Sequence, residues 1–187
     1  SRTTTREVNE GRQRPADEPG GFKMGGKSFT KSTEQLRPDP VYGDKVLAKF
    51  TNCIMYDGKK SVAQRNINNA MDIIQGRLDK IEDPNAPKSA LDCFHMAIDK
   101  VKPFVEVRSK RVGGANYQVP MQVDRKRQQA LSFRWIIAAA RSEKGKPIAQ
   151  RLADELFNAA RGEGKAITKR EEVHRMAEAN KAFSHFA

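Results

Sequence analysis

Residues 105–123, VEVRSKRVGGANYQVPMQV, decide the fold, because the hydrophobic period of the chain changes there from helical spacing to two and afterwards changes back. In the second half Tyr117, Val119, Met121 and Val123 fall on one side and Gln118, Pro120 and Gln122 on the other, the alternation of a strand. Between VEVRSKRV and YQVPMQV stands Gly113-Gly114-Ala115-Asn116, which turns the two runs into a hairpin. Pro120 has no amide hydrogen and suits a strand with a free edge, and a two-stranded ribbon has two such edges. Open edges invite aggregation, which Arg108, Lys110 and Arg111 oppose by mutual repulsion until a partner arrives. The expectation is an arm over about residues 104–124.

Helical patterns lie on both sides of this arm. In VYGDKVLAKFTNCIMYDG, Val46, Leu47, Phe50, Cys53 and Ile54 recur at spacings of three and four, and Asp57-Gly58 supplies a stop. KKSVAQRNINNAMDIIQGRL places Ile67, Ala70, Met71, Ile74 and Leu78 on one face before a loop with Pro84 and Pro87. SALDCFHMAIDKV is opened by Ser89 and closed by Pro103. After the arm, RKRQQALSFRWIIAAAR carries a stripe of Leu131, Trp135, Ala138 and Ala139. PIAQRLADELFNAAR starts with Pro147 in a favoured first-turn position and buries Ile148, Leu152, Leu156 and Ala159. Thr168, followed three residues later by Glu171, reads as a capping box opening KREEVHRMAEANKAFSHF. The sum is a mainly α fold, a six-helix domain with a protruding two-stranded β-hairpin between helices three and four.

Residues 1–37 are rich in Gly, Thr, Arg and Pro and poor in large aliphatics, and read as an N-terminal extension, irregular or ordered by a partner. The folded domain is expected over 38–187. The chain of 187 residues carries 35 Lys+Arg against 23 Asp+Glu, a net charge of +12. Eight basic and five acidic residues give the extension +3, which leaves +9 to the domain, so the positive charge belongs mainly to the folded part. Such a chain accumulates around polyanions, with nucleic acid the leading class. Its longest uninterrupted apolar run, residues 135–140, is far below the roughly 18 residues of a membrane span, and no membrane partner is expected. The sequence starts at Ser1 without Met and without the apolar centre of a secretory signal, as a processed precursor would.

Several motifs point elsewhere and fail on context. GFKMGGKS, residues 21–28, satisfies the phosphate-binding pattern GxxxxGK[ST], whose chemistry needs a strand before the loop and a helix after it. The flanks GRQRPADEPG and FTKSTEQLRPDP offer neither, so a nucleotide hydrolase using Gly26, Lys27 and Ser28 is the alternative reading. A basic scaffold for acidic proteins is a third. Cys53 and Cys93 lie far apart without a CxxC or a His cluster and are expected as buried thiols rather than as a disulfide or zinc site. His174 and Glu178, one turn apart, would make half a metal site but read better as a solvated helix face. No catalytic residue, metal or cofactor is expected.

The arm supports the stronger functional reading. Between Arg108 and Arg127 stand six basic residues, Arg108, Lys110, Arg111, Arg125, Lys126 and Arg127, against one acid, Asp124. The first cluster lines the outgoing strand and the second its root, a continuous positive track. Gly113 and Gly114 let the backbone approach a phosphate or ribose, and Tyr117 offers a ring for stacking. DGKKS places Lys59 and Lys60 at a helix start, where free amides favour anions.

With these residues in view, the sequence resembles the family of small-subunit ribosomal protein seven. PDPVYGDKVLAKF, DGKKS, VKPFVEVRSKRVGGANYQVP, RWIIAAAR, RLADELFNAA and KREEVHRMAEANKAFSHF carry the resemblance, in the family's order over about residues 38–186. It implies a non-catalytic component of the small ribosomal subunit that binds the 3′ major (head) domain of its rRNA and organises head assembly. It also implies an arm near the tRNA exit site and the mRNA exit channel. The implied partners are small-subunit rRNA, neighbouring head proteins, and exit-site tRNA and mRNA. By position the resemblance assigns backbone contacts to Lys59, Lys60, Arg108, Lys110, Arg111, Arg125, Lys126, Arg127 and Arg134, with Gly113, Gly114 and Tyr117 shaping the ribbon tip. The family pattern usually reads on beyond FSHF through an Arg-Trp pair. The N-terminal extension, the absent initiator Met and the string NCIMYDGKKS favour a mitochondrial ribosome over a bacterial one.

Overall fold

Six α-helices, one two-stranded ribbon and a closing 3₁₀ segment account for the regular structure of the residues that the computed structural model describes, 36–80 and 87–186. In chain order they are α1 (Lys45–Ile54), α2 (Lys60–Leu78), α3 (Ala90–Val101), β1 (Val105–Val112), β2 (Ala115–Gln122), α4 (Arg125–Ser142), α5 (Ile148–Arg161), α6 (Lys165–Ala179) and the 3₁₀ segment Lys181–Phe186. The fold is the expected one: a helical body with the hairpin inserted between the third and fourth helices. The GFKMGGKS segment lies outside the described residues.

Three helix ends show how local chemistry satisfies terminal backbone groups. The Asp44 carboxylate accepts from the N–H of Val46 at 2.9 Å and of Leu47 at 3.4 Å, which opens α1. Ser89 Oγ accepts from the Asp92 N–H at 3.1 Å and opens α3. α5 closes on Gly162, whose φ of +96° is a left-handed conformation that favours glycine.

The core gathers on three phenylalanines. The Phe50 ring of α1 meets Phe94 of α3 and Phe133 of α4 edge-on, at centroid distances of 5.3 and 5.2 Å. Ile74, Ile136, Leu152 and Leu156 complete a fully buried centre around which α5 contacts α2, α3, α4 and α6.

Four local expectations are corrected. The Thr168–Glu171 capping box does not open α6, which starts three residues earlier at Lys165. Thr168 sits inside the first turn and its hydroxyl donates back to the Gly164 carbonyl at 3.1 Å. The capping is tertiary: the buried Glu155 of α5 accepts from the Ala166 N–H at 2.8 Å. Gly164 permits this, because a Cβ there would stand 2.9 Å from Glu155 Oε1, and its φ of +101° suits glycine. Along α4, Ala138 is exposed and Trp135 only half-buried, while Phe133, Ile136, Ile137 and Ala140 are buried. Packing against α1, α3, α5 and α6 rotates the buried face away from the narrow stripe that the spacing suggested. Cys53 lies on the outer side of α1 and is exposed. Cys93 is buried as expected, and burial pushes its thiol up to about 11. Pro147 stands one residue ahead of α5, at its N-cap.

β1 and β2 pair antiparallel from Val105↔Gln122 to Val112↔Ala115, leaving Gly113 and Gly114 as a two-residue turn. Both glycines have positive φ, +57° and +91°, as a hairpin turn twisted with its strands requires. The ribbon root packs on the body: Val119 and Val123 are buried, β1 and β2 contact α6, and β2 contacts the 3₁₀ segment. The Val123 N–H donates to the Phe104 carbonyl at 3.0 Å and fastens the exit of the arm to its entry.

Candidate nucleic-acid interface

Strand register sorts the basic residues of the arm by face. Cross-strand partners share a face and successive residues along a strand do not, so Glu106, Arg108 and Lys110 lie with Met121, Val119 and Tyr117, whereas Arg111 lies opposite with Asn116. The single track expected from the sequence is therefore two tracks at the ribbon's outer half. Gly113 and Gly114 form the tip, and residues 108–111 and 113–116 are exposed. Tyr117 is three residues inside the tip and half-buried, with the Phe183 ring of the 3₁₀ segment 5.2 Å from its own.

At the root, Glu106 joins the two basic clusters. Its carboxylate accepts from Arg108 Nε at 2.5 Å through Oε1 and from Arg127 Nε at 3.1 Å through Oε2, and Arg108 Nη2 contacts Oε1 as well. The carboxylate side chain is 10% exposed, while those of Arg108 and Arg127 are 55% and 42% exposed. The guanidiniums thus lie between the buried acid and solvent. Burial by itself would raise the Glu106 carboxyl, but hydrogen bonds and charge from Arg127 and Arg108 outweigh it and hold the pKa below the usual 4.5. Glu106 was missed from the sequence because it lies two residues outside the window in which the charges are counted.

Arg125, Lys126 and Arg127 occupy the first turn of α4, which has no acidic residue and no side-chain capping bond from Asp124. Three cations at the positive end of a helix dipole oppose it, by about 0.3–1 kcal/mol each at low salt. Arg127 is paired with Glu106, but helix stability does not explain Arg125 and Lys126, which join no salt bridge among the described residues. Arg125 and Lys126 also line a groove with Lys102, Gln128 and Gln129. Arg134 stands seven residues beyond Arg127, almost on the same stripe of α4, and Arg141 seven further, so the stripe runs about 21 Å. Arg141 is a second residue that the sequence reading missed, although heptad spacing marks it.

Lys59 and Lys60 are exposed at the start of α2, where Lys59 is the N-cap and no acid occupies the first turn. An open cleft beside them is lined by Ile54, Tyr56, Val62 and Arg141. Arg141 Nη2 donates to the Ile54 carbonyl at 3.0 Å, and its guanidinium carbon lies 5.9 Å from the Tyr56 ring centre. Among the described residues, Lys59, Lys60, Arg111, Arg125, Lys126 and Arg134 join no salt bridge.

His174 is not on a solvated face. It is half-buried, its Nε2 accepts from the Phe104 N–H at 3.2 Å, and its ring lies 6.1 Å from the Phe104 ring. Burial, with the nearby Arg170 charge, holds its pKa below 6.5 against the opposing pull of Glu171. A neutral ring with a free Nε2 lone pair is what the Phe104 amide requires. No group of three or more His, Cys, Asp or Glu side chains among the described residues is arranged to hold a metal ion. No helix among them is long and apolar enough to cross a membrane.

Comparison with known proteins identifies the family of the chain. The sequence model of the family described as Ribosomal protein S7p/S5e matches residues 26–181, a span that includes Gly26, Lys27 and Ser28 of the phosphate-loop look-alike. The chain is 52% identical over 159 residues to small ribosomal subunit protein uS7 of Rhodopirellula baltica, covering 85% of this chain and 98% of that protein. It is 55% identical over 152 residues to the protein of the same name from Polaromonas naphthalenivorans, and 56% identical over 152 residues to that from Variovorax paradoxus. Each of these two alignments covers 81% of this chain and 92% of the relative. These relatives are bacterial and lend no support to the mitochondrial expectation. With a family match over most of its length and relatives more than half identical to it, the chain belongs to the ribosomal protein S7p/S5e family.

Proposed function

We propose that this protein is a structural, RNA-binding component of the small ribosomal subunit, docked on the 3′ major domain of the rRNA and organising assembly of the subunit head. The docking surface comprises the ribbon with Arg108, Lys110, Arg111, Gly113, Gly114 and Tyr117, the first turn of α4 with Arg125, Lys126 and Arg127, Arg134 on the same helix, and Lys59 and Lys60 at the start of α2. In this reading residues 38–187 form the rRNA-binding body and residues 1–37 an extension from it. The ribbon lies near the tRNA exit site and the mRNA exit channel, and neighbouring head proteins complete the environment.

One observation carries the reading: among the described residues, Arg125 and Lys126 crowd the positive end of α4 without a salt bridge, an acid in that turn or a side-chain cap to offset them. Such a surface is relieved by phosphates, and membership of a ribosomal family supplies the polyanion. The test is binding to a transcript of the 3′ major domain across a salt series. Lys110→Ala with Arg111→Ala is expected to weaken binding and to lower the slope of log K against log salt by roughly 0.7–0.9 for each phosphate no longer neutralised. An unchanged slope removes the ribbon from the interface.

A further inference from the structure

We infer that Glu106, an acid at the centre of a cationic surface, strengthens RNA binding by positioning Arg108 and Arg127 as one rigid two-guanidinium anchor. The inference rests on the RNA-binding reading above and adds a residue whose charge, taken by itself, has the wrong sign for it.

The geometry separates positioning from a stray surface ion pair. An exposed salt bridge tethers two mobile side chains in water and contributes little. Glu106 is instead buried at the ribbon root, on the same ribbon face as the fully buried Val119, so its carboxylate is a fixed point. It holds two arginines from different elements, Arg108 from β1 and Arg127 from the first turn of α4, one on each oxygen. Arg108 is gripped through Nε and Nη2 and Arg127 through Nε, which leaves further guanidinium N–H groups for a ligand on side chains 55% and 42% exposed. The carboxylate also screens two like charges from one another. Without it, guanidiniums brought onto one spot would repel and swing apart, and each would lose rotamer freedom on meeting a phosphate. With it, that ordering is complete before the ligand arrives, and the triad still presents a net charge of one positive unit. Because the carboxylate is held below the usual acid range, it remains ionised wherever RNA binding is measured near neutrality.

Charge counting and positioning predict opposite signs for one substitution. Glu106→Gln raises the formal net charge by one unit from +12, so charge alone predicts tighter binding and a steeper salt slope. Positioning predicts weaker binding, by roughly fivefold to a hundredfold, from the ordering of two long side chains. The experiment measures affinity of the full chain for a transcript of the 3′ major domain in a double-mutant cycle. Its members are the wild type, Glu106→Gln, Arg108→Ala with Arg127→Ala, and the triple variant, each checked by circular dichroism and thermal melting. The expected result is a weakening with Glu106→Gln in the wild-type background that vanishes, or turns into a gain, when both arginines are absent. Tighter binding by Glu106→Gln would overturn the inference. So would an equal weakening in both backgrounds, because the acid would then act through the fold and not through its arginines. Failure of the wild type to bind the transcript would instead refute the RNA-binding reading itself.

Discussion

The first turn of α4 offers a prediction in which stability and binding move in opposite directions. Arg125 and Lys126 are exposed, lie at the positive end of the helix dipole, and share a groove with Lys102. Replacing both with Ala removes two unfavourable charge–dipole interactions, each about 0.3–1 kcal/mol at low ionic strength. It also relieves repulsion with Lys102 and introduces a better helix former. The double variant is therefore expected to be more stable by about 1 kcal/mol, equivalent to a rise of about 2–4 °C in Tm for a domain of this size. In 1 M salt the Debye length falls to about 3 Å and most of the gain disappears. On RNA the same variant is expected to bind more weakly, with the salt slope reduced by roughly 0.7–0.9 for each phosphate that the missing cations had neutralised. Thermal melts at low and high salt, paired with filter binding over a salt series, measure both sides. A Tm that falls at low salt and stays lower in 1 M salt would refute the reasoning, because the two side chains would then hold the fold by packing. An unchanged RNA salt slope would refute the binding half.

Phe50→Ala removes the ring that touches both Phe94 and Phe133 in the buried centre, and is expected to cost about 3–5 kcal/mol. The urea midpoint should fall with little change in m, and a cost under about 1 kcal/mol would mean that the three-ring cluster is not the hub of the core. The depressed pKa of His174 predicts a contribution to stability that is fully present above pH 6.5 and is lost as pH falls through the lower folded value. Protonation of Nε2 would break the bond from the Phe104 amide, so the Phe104 amide resonance should titrate together with the His174 ring below pH 6.5. Independent titration of the two would show that the bond does not form in solution.

Much of the fold is legible in the chain because its periodicities are local. Three-and-four spacing marks the buried Ile67, Ala70, Met71, Ile74 and Leu78 of α2, and the change to two marks the ribbon at both ends. Ser89 and Pro103 bracket α3 because capping and amide loss act over a few residues. The Thr168–Glu171 pair shows the limit of that logic, since a capping signal is overruled when a buried carboxylate from another helix reaches the amide first. Ala138 and Cys53 show it again: which side of a helix is covered depends on neighbours that local spacing does not name.

By itself, then, the sequence determined a cationic helical body with a hairpin arm and the residue types that would meet a polyanion, because charge and hydrophobic period are properties of the chain. Only the tertiary structure decided how those charges are used. It put Arg111 on the opposite face from Arg108 and Lys110, set Phe183 against Tyr117, and joined Glu106 to both Arg108 and Arg127. Those relations arise from strand register and from the meeting of distant segments, and their energies depend on burial, which no local pattern specifies.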